Sequence, residues 1–369
     1  MSGWKKVRLG EVCNIFAGGD APDDTSPIRT NTLYVPVYSN GISRKGLYGY
    51  TSKSRVKQEA ITISARGTIG AVFFRNEPFF PIVRLITVIP QSSGLDTKFL
   101  YYRLLLVPFA GDGSAVKQLT VPMISEYEID FPSLPTQRKI AAVLSSLDDK
   151  IENNRKICAN LEAQAQAIFK NSDRRSDAVP FTALIKILSG GTPKTSEPSY
   201  WGGDIPFFSP KDVGEPYAIY TERTITKDGL DSCNSGFYPK DTTFVTARGT
   251  VGKVCLAGVP MAMNQSCFAL ASDIIDSLLV YYYTKASIDS LKSKANGSVF
   301  DAITIAEFET ERIARLKESE ERKFVNIVRP MFDKILSLSI ESRALAATRD
   351  ALLPKLMSGE IDVETVEMA

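Results

Sequence analysis

The chain has 369 residues, of which 44% are hydrophobic and 23% are charged, which is typical of a soluble globular protein with two or three domains. It contains no histidine, which excludes histidine-based triads, histidine general bases and histidine metal ligands. The five cysteines are an odd number without a CxxC pair, so we expect free thiols in a reducing, cytoplasmic setting. No run of about 18 apolar residues occurs, so we expect no membrane span.

Residues 1–134 have the pattern of a mixed domain of short strands, loops and one helix. The β-rich runs at 61–64, 72–74 and 82–89 are broken by Gly, Pro and Asn, and 96–107 has the pattern of a short helix. This segment carries 15 Lys and Arg against 11 Asp and Glu, which makes it the most cationic part of the chain.

Residues 135–171 have a heptad pattern that is typical of a long helix. Seam positions recur at alternating spacings of 4 and 3, and Pro135 precedes them as a start signal. We predict a helix about 50 Å long. The candidate seam residues are Ile140, Leu144, Leu147, Ile151, Asn154 and Leu161. Asn154 is polar, and a single polar seam residue often fixes the register or orientation of a helix pair.

Residues 172–317 repeat the pattern of the first segment. Strands are predicted at 243–246 and 254–256, and a helix is predicted at 277–287. The charge differs, because this segment has 16 Lys and Arg against 17 Asp and Glu. We therefore expect two similar folds with unlike surfaces.

Residues 318–357 repeat the heptad pattern in the same phase. The candidate seam residues are Phe324, Val328, Met331, Ile335, Leu338 and Leu345. Two such helices favour an antiparallel pair that spaces two domains, and the alternative is a long core helix within an ordinary domain. Pro330 is expected to kink the second helix or to mark its start, Pro354 to end it, and residues 358–369 to form a loose acidic tail.

Three sequence segments recur in the same order, which indicates that the chain is two copies of one unit. ITISARGTIG at 61–70 returns as TFVTARGTVG with a shift of 182, and RKIAAVLSSLDDKI at 138–151 returns as RKFVNIVRPMFDKI with a shift of 184. FAGG at 16–19 returns as LSGG with a shift of 172. Such a chain can fold with an internal pseudo-two-fold axis, which suits a two-fold partner such as duplex DNA.

These features together resemble the specificity subunit of Type I restriction-modification systems. The resemblance is carried by FPSLPTQR at 131–138 opening a heptad helix, by ARGT(I/V)G in each copy, and by the GGTP loop at 190–193 leading to YWGGDIP at 200–206. Asn264-Gln265-Ser266 also resembles the family. The start of the second helix departs from the pattern, since Ser-Glu-Glu stands where the first helix has Pro-Thr-Gln.

The resemblance implies an α+β fold with two target-recognition domains, 1–134 and 172–317, separated by two antiparallel coiled-coil helices, 135–171 and 318–357. It implies a non-catalytic subunit in which each domain reads one half of a split double-stranded DNA target. The helices would set the spacing and dock the modification (methyltransferase) subunits, two per chain. Restriction subunits would join through the complex, and S-adenosylmethionine, ATP and Mg would bind to the partner subunits.

The best local signal for DNA binding lies between Thr25 and Gln58, a stretch without acidic residues. It combines basic side chains with tyrosines and glycines, so it offers charge for phosphates and hydrogen-bonding groups on close loops. The candidate contacts are Asn40, Arg44, Lys45, Tyr48, Lys53, Arg55 and Lys57. The alternative is a solvated basic loop.

The second copy offers a different set of candidate contacts, which are Lys194, Thr195, Tyr200, Lys211 and Lys253. Trp201 belongs either to this surface or to the core. The repeated Arg66 and Arg248 are expected along the phosphates, whereas the glycines that follow them favour a tight turn. Lys117, beside the repeated Gly-Ser pair of the first copy, is a further candidate.

Two other classes of function remain open at this point. An enzyme is disfavoured, because no glycine-rich cofactor loop follows a strand and no Asn-Pro-Pro-aromatic run occurs. A protein scaffold without DNA is disfavoured by the basic stretch at 25–58.

Overall fold

The computed structural model describes residues 4–111, 118–214, 216–294 and 302–365. The chain divides into two compact units, one formed by Met1–Lys150 with Leu345–Ala369 and the other by Ile151–Ala344. Each unit therefore combines one mixed domain with a part of both long helices. No helix among the described residues has the length and apolar character needed to cross a membrane.

The first unit is built from short strands around one main helix. Its strands are β1 (Lys5–Arg8), β2 (Cys13–Ala17), β3 (Val35–Tyr38), β4 (Leu47–Thr51), β5 (Ala60–Ile63), β6 (Val72–Arg75), β7 (Phe80–Pro81), β8 (Ile86–Pro90) and β9 (Glu128–Phe131). Its helices are α1 (Leu9–Val12), α2 (Thr97–Leu105), α3 (Val121–Ser125) and the first half of α4 (Leu134–Asn171). Asp96 starts α2, because its carboxylate accepts a hydrogen bond of 2.9 Å from the Phe99 backbone N–H.

The second unit has the same kinds of element. Its strands are β10 (Val179–Pro180), β11 (Lys186–Ser189), β12 (Trp201–Phe208), β13 (Tyr217–Ala218), β14 (Arg223–Ile225), β15 (Thr243–Thr246), β16 (Val254–Ala257), β17 (Ala262–Met263), β18 (Cys267–Ala271) and β19 (Arg312–Ile313). Its helices are α5 (Phe181–Leu184), α6 (Lys227–Asp231), α7 (Ser277–Lys294), α8 (Ile305–Thr310) and the first part of α9 (Glu318–Ser358).

The two units share one topology, which confirms the predicted internal repeat. The sheet order β2-β8-β5-β6 of the first unit returns as β11-β18-β15-β16, to which β13 is added. The three-stranded order β4-β3-β7 returns as β14-β12-β17, and the pair β1-β9 returns as β10-β19. Each three-stranded sheet also contains one parallel pair of strands. In this pair Tyr38 lies opposite Pro81 in the first unit, and Phe208 lies opposite Met263 in the second.

The central strand β5 explains why the first unit has two cores. Successive side chains of a strand point to opposite faces. Ile61 and Ile63 belong to the core that contains Phe99 of α2, whereas Ala60 belongs to a smaller core with Phe79. Because both faces are covered, β5 is an almost wholly apolar strand without the alternation of a surface strand.

The long helices α4 and α9 pack against each other in antiparallel order, as predicted. In the first unit Asp148 and Arg349 form an ion pair of 2.5 Å. In the second unit Asn154 Nδ2 donates to Ser342 Oγ at 3.3 Å, and Cys158 Sγ lies 3.7 Å from the Ile335 carbonyl oxygen. The contact residues on α9 thus have lower numbers as the residue numbers on α4 increase, which is the order of an antiparallel pair.

Pro330 does not mark the start of the second helix, and the predicted end at Pro354 is wrong. Helix α9 is continuous from Glu318 to Ser358. Both prolines are exposed, so the carbonyl groups that lose a helical partner can reach water. Buried Leu356 and Met357 hold the last turn in the first unit.

The expected loose tail is also wrong for residues 359–365. Val363 is buried in the core of the first unit, and Glu364 forms an ion pair with Lys139. Chain ends become ordered where burial fixes them, which is the case here.

Candidate DNA interface

Four loops of the first unit meet at one end of its sheets. We call residues 18–19, 40–46, 65–67 and 82–84 the first loop cluster. The Val83 N–H donates to the Gly19 carbonyl at 2.8 Å, which joins two of the loops. Asn40, in the loop at 40–46, connects this loop to the loops at 82–84 and 65–67. Its Nδ2 donates to the Val83 carbonyl at 2.6 Å, and its Oδ1 accepts from the Ala65 N–H at 2.7 Å.

The backbone of this cluster is strained at four residues. Arg44, Lys45, Val83 and Arg84 have φ values of 48°, 55°, 53° and 59°, in the left-handed region that favours glycine. Each such residue costs about 1–2 kcal/mol. Val83 is β-branched and 50% exposed, so burial of its own side chain does not explain its conformation. Strain of this kind concentrates at functional sites.

The cluster presents cationic side chains. Arg44, Lys45 and Arg84 are exposed. Arg66 is half-buried, and its Nε and Nη2 donate to Gln118 Oε1 at 3.1 and 2.9 Å, so a neutral amide orients it without cancelling its charge. Arg84 was not among the predicted contacts, because 82–89 was predicted to be one strand.

Other predicted contacts of the first unit lie beside the cluster. The Arg55 guanidinium lies 4.9 Å from the Phe16 ring centroid, close to Gly19. Tyr48, Lys53 and Lys57 are exposed. Lys117 lies outside the residues that the structure describes.

Folding brings an acidic residue against the stretch that has none of its own. The Asp24 carboxylate accepts hydrogen bonds from the hydroxyls of Thr51 and Ser52, both at 2.5 Å, and these bonds hold the pKa of Asp24 well below its usual range. Its charge also acts on Lys53. Lys53 is therefore a weaker candidate for phosphate contact than Arg44 or Lys45.

The second unit contains the equivalent cluster. We call residues 190–192, 209–212, 247–250 and 264–266 the second loop cluster. The Gly191 N–H donates to the Met263 carbonyl at 3.1 Å, the Ala247 N–H donates to the Ser266 carbonyl at 2.8 Å, and Thr250 Oγ1 donates to the Pro210 carbonyl at 3.4 Å. A Cβ atom at Gly190 would lie 2.0 Å from the Asn264 carbonyl oxygen, so only glycine fits there.

The second cluster is rich in amide and hydroxyl groups. Thr192 Oγ1 is hydrogen-bonded to Oε1 of the exposed Gln265, and Asn264 Oδ1 accepts from the Ser266 N–H at 3.0 Å. Arg248 is exposed, and the Lys211 side chain is 80% exposed with Glu222 at 3.7 Å. The difference in charge between the two copies is thus visible in the loops themselves.

The predicted contacts between 194 and 201 belong to a folded segment. Trp201 Nε1 donates to the Lys194 carbonyl at 3.1 Å, and the Arg223 guanidinium lies 3.5 Å from the Trp201 ring centroid. Trp201 is half-buried and shapes this segment, whereas Lys194 and Thr195 are exposed. Tyr200 is half-buried, and Lys253 is exposed at the start of β16.

The predicted seam residues are buried or half-buried. None of the twelve predicted seam residues is exposed. Asn154 is 1% exposed, and its Nδ2 donates to Glu341 Oε2 at 2.9 Å as well as to Ser342. The Nδ2 atom of Asn154 thus has polar partners on α9, whereas its Oδ1 atom is buried without a hydrogen-bond partner among the described residues.

Comparison with known proteins gives the class of the chain. Residues 1–163 and 180–335 match the family profile described as Type I restriction modification DNA specificity domain. The chain belongs to this family.

Individual relatives agree. A type I specificity subunit of Mycoplasma pneumoniae is 38% identical over 152 residues, which is 40% of this chain and 45% of the relative. The specificity subunit of the type I restriction enzyme MjaIX of Methanocaldococcus jannaschii is 26% identical over 98% of this chain and 93% of its own. The chain spans less than half the length of the first relative. The crystal structure of a Type I restriction-modification S subunit from M. genitalium has the same fold, with a TM-score of 0.62, 19% identity and 96% of each chain covered.

Proposed function

We propose that the chain is a DNA-recognition subunit in which each loop cluster reads one half of a bipartite duplex target. The observation that carries the proposal is the duplication of the cluster. Four loops converge in the same topological positions in both units, yet the side chains that they present differ. A protein that recognises two different half-sites needs two domains of the same fold whose loops carry different side chains.

The first cluster is suited to phosphates and to guanine. Arg44, Lys45, Arg66 and Arg84 supply positive charge, and arginine pairs in two-point fashion with the O6 and N7 atoms of guanine. Fixed loops add discrimination, since contacts on a preorganised backbone cost less ordering on binding.

The second cluster is suited to a different base. Gln265, held by Thr192, and the neighbouring Asn264 are amides, and amides pair with the N6 and N7 atoms of adenine. Arg248 and Lys211 supply the phosphate contacts of this half.

In the same proposal, α4 and α9 set the distance between the half-sites and dock two methyltransferase subunits. The burial of Asn154 and its contact with Glu341 on α9 support a rigid spacer. Methyl transfer, ATP hydrolysis and cleavage then belong to partner subunits, which bind S-adenosylmethionine, ATP and Mg. The modest net charge of +2 supports this division, because partners would supply part of the charge that neutralises DNA.

Salt dependence of DNA binding tests the assignment of the first cluster. The full chain, co-purified with its modification subunits, is titrated with duplex DNA at several salt concentrations. Single Arg44→Ala, Lys45→Ala and Arg84→Ala variants should each make the negative slope of log K against log salt shallower, by about 0.9 for every phosphate that the variant leaves unneutralised. Lys6→Ala is the matched control, since Lys6 pairs with Glu128 on the β1-β9 ribbon. Equal slopes in all four variants would contradict the assignment.

A further inference from the structure

Arg75, at the end of β6, is a buried cation. It is 3% exposed, and its guanidinium carbon lies 3.6 Å from the Tyr38 ring centroid and 5.1 Å from that of Phe73. Its Nε donates to Thr62 Oγ1 at 2.9 Å. Burial lowers the pKa of Arg75 to about 10, so the side chain still carries its charge at neutral pH. Burying a charge is unfavourable unless other groups compensate it.

A further hydrogen bond of Arg75 leads to the first loop cluster. Its Nη2 donates to the carbonyl oxygen of Lys45 at 2.7 Å. Lys45 and its neighbour Arg44 are the strained left-handed pair, and both side chains are exposed. A planar guanidinium can bond Thr62 in the core and Lys45 in the loop at once, because its donors form a rigid fork.

The second unit shows that the core does not need this arginine. The shared strand register places Arg75 at the position of Ala257, Thr62 at that of Phe244, and Tyr38 at that of Phe208. In the second unit these three residues form one apolar core, in which the Phe208 and Phe244 ring centroids are 4.8 Å apart. The second unit thus fills the equivalent site with apolar groups instead of a buried cation.

We propose that Arg75 is a positioning residue for DNA recognition, which holds the Arg44-Lys45 loop in the conformation that reads the first half-site. The inference rests on the proposed function of the first loop cluster and adds to it a residue that does not touch DNA. The buried charge of Arg75 then contributes to specificity, because an apolar core would stabilise the unit equally well.

The decisive variant transplants the core of the second unit into the first, as Tyr38→Phe/Thr62→Phe/Arg75→Ala. It is made in the full chain with its modification subunits. The probes are three duplexes: the methylated motif found for the wild type, and the same duplex with either half-site scrambled. Arg44→Ala identifies which half-site the first unit reads. Affinities are measured by fluorescence anisotropy at one salt concentration, and thermal unfolding is followed in parallel.

We expect the transplanted core to unfold at or above the wild-type temperature and to lose about tenfold in discrimination at the first half-site, which is the worth of one good side-chain contact to a base. Discrimination at the second half-site should not change. Arg75→Lys should lose discrimination in the same way, because an ammonium group lacks the fork. Thr62→Val, which leaves the Lys45 bond in place, should retain it.

Two failures are distinguishable. If Arg44→Ala loses discrimination but the transplanted core and Arg75→Lys keep it, the positioning role of Arg75 is overturned while the proposed function stands. If the wild type does not discriminate either half-site, the proposed function falls and the inference falls with it.

Discussion

Asn40 donates a hydrogen bond of 2.6 Å to the carbonyl oxygen of Val83, a β-branched residue held in a left-handed conformation. The other end of the same amide accepts from the Ala65 N–H. One side chain therefore connects three loops that carry cations, of which Arg44, Lys45 and Arg84 are exposed. The sequence pattern indicated Asn40 as a DNA contact, and the structure shows that its amide is already engaged within the fold.

Replacing Asn40 by alanine should loosen the first loop cluster. The variant leaves a carbonyl and an N–H without their partners, so we expect a loss of about 1–3 kcal/mol in the free energy of unfolding. Hydrogen exchange of residues 40–46 and 82–84 should become faster, and DNA affinity should fall. Asn31→Ala, in an exposed part of the same basic stretch, is the control. Unchanged exchange in Asn40→Ala would show that other contacts hold these loops.

A negative charge in the helix seam should be poorly tolerated. Asn154→Asp places a buried carboxylate against Glu341, so we expect a loss of about 1–3 kcal/mol in the free energy of unfolding at neutral pH, and this loss becomes smaller as the pH is lowered and protonation relieves the repulsion. Asn153→Asp, on the exposed neighbouring position, should have little effect. Thermal unfolding between pH 3 and 8 measures the difference, and equal behaviour of the two variants would contradict the seam assignment.

Two adjacent tyrosines should respond in opposite ways to loss of the hydroxyl group. The Tyr283 hydroxyl donates to Glu321 Oε1 at 3.0 Å and accepts from the Leu316 N–H at 2.9 Å. The Tyr282 hydroxyl is buried and has no hydrogen-bond partner in the part of the chain that the structure describes. Tyr283→Phe should therefore cost about 1–3 kcal/mol, whereas Tyr282→Phe should be neutral or stabilising. Urea unfolding of both variants tests this, and a larger loss in Tyr282→Phe would refute it.

Stability should fall at alkaline pH. Burial raises the pKa of Tyr102, Tyr217 and Tyr282, with the charge of Asp148 adding to the effect at Tyr102. Unfolded tyrosines ionise near pH 10, while these folded ones stay protonated. Their contribution is complete below about pH 10 and is lost as pH rises above it. Unfolding temperatures from pH 8 to 11.5, with phenolate absorbance as the second readout, should show a decline above pH 10; a flat profile would contradict the prediction.

The features that depend on local or repeated patterns could be predicted from the sequence. The duplication was visible because matching segments of both copies have similar sequences, as in the ARGT loop, and the long helices were visible because a heptad is a local pattern. Helix α7 was found, although the structure extends it to Lys294. Helix α2 was predicted within two residues at each end.

The features that were missed depend on contacts distant in sequence. Val83 and Arg84 look like strand residues, and only the bonds to Gly18, Gly19 and Asn40 fix them in a left-handed turn. The order of residues 359–365 depends on burial of Val363 in a core that the sequence does not outline. No sequence pattern singled out Arg75, because its role depends on the register of β6 and on the position of the Lys45 carbonyl.

Methylome sequencing of a host that carries this chain and its modification subunits tests the central claim most directly. We expect a split methylated motif, with two constant half-sites about one helical turn apart centre to centre and a fixed run of unspecified bases between them. A chain carrying Arg44→Ala and Lys45→Ala should alter one half-site and leave the other intact. A single continuous motif, or a change in both half-sites together, would contradict the claim that two loop clusters read the DNA separately.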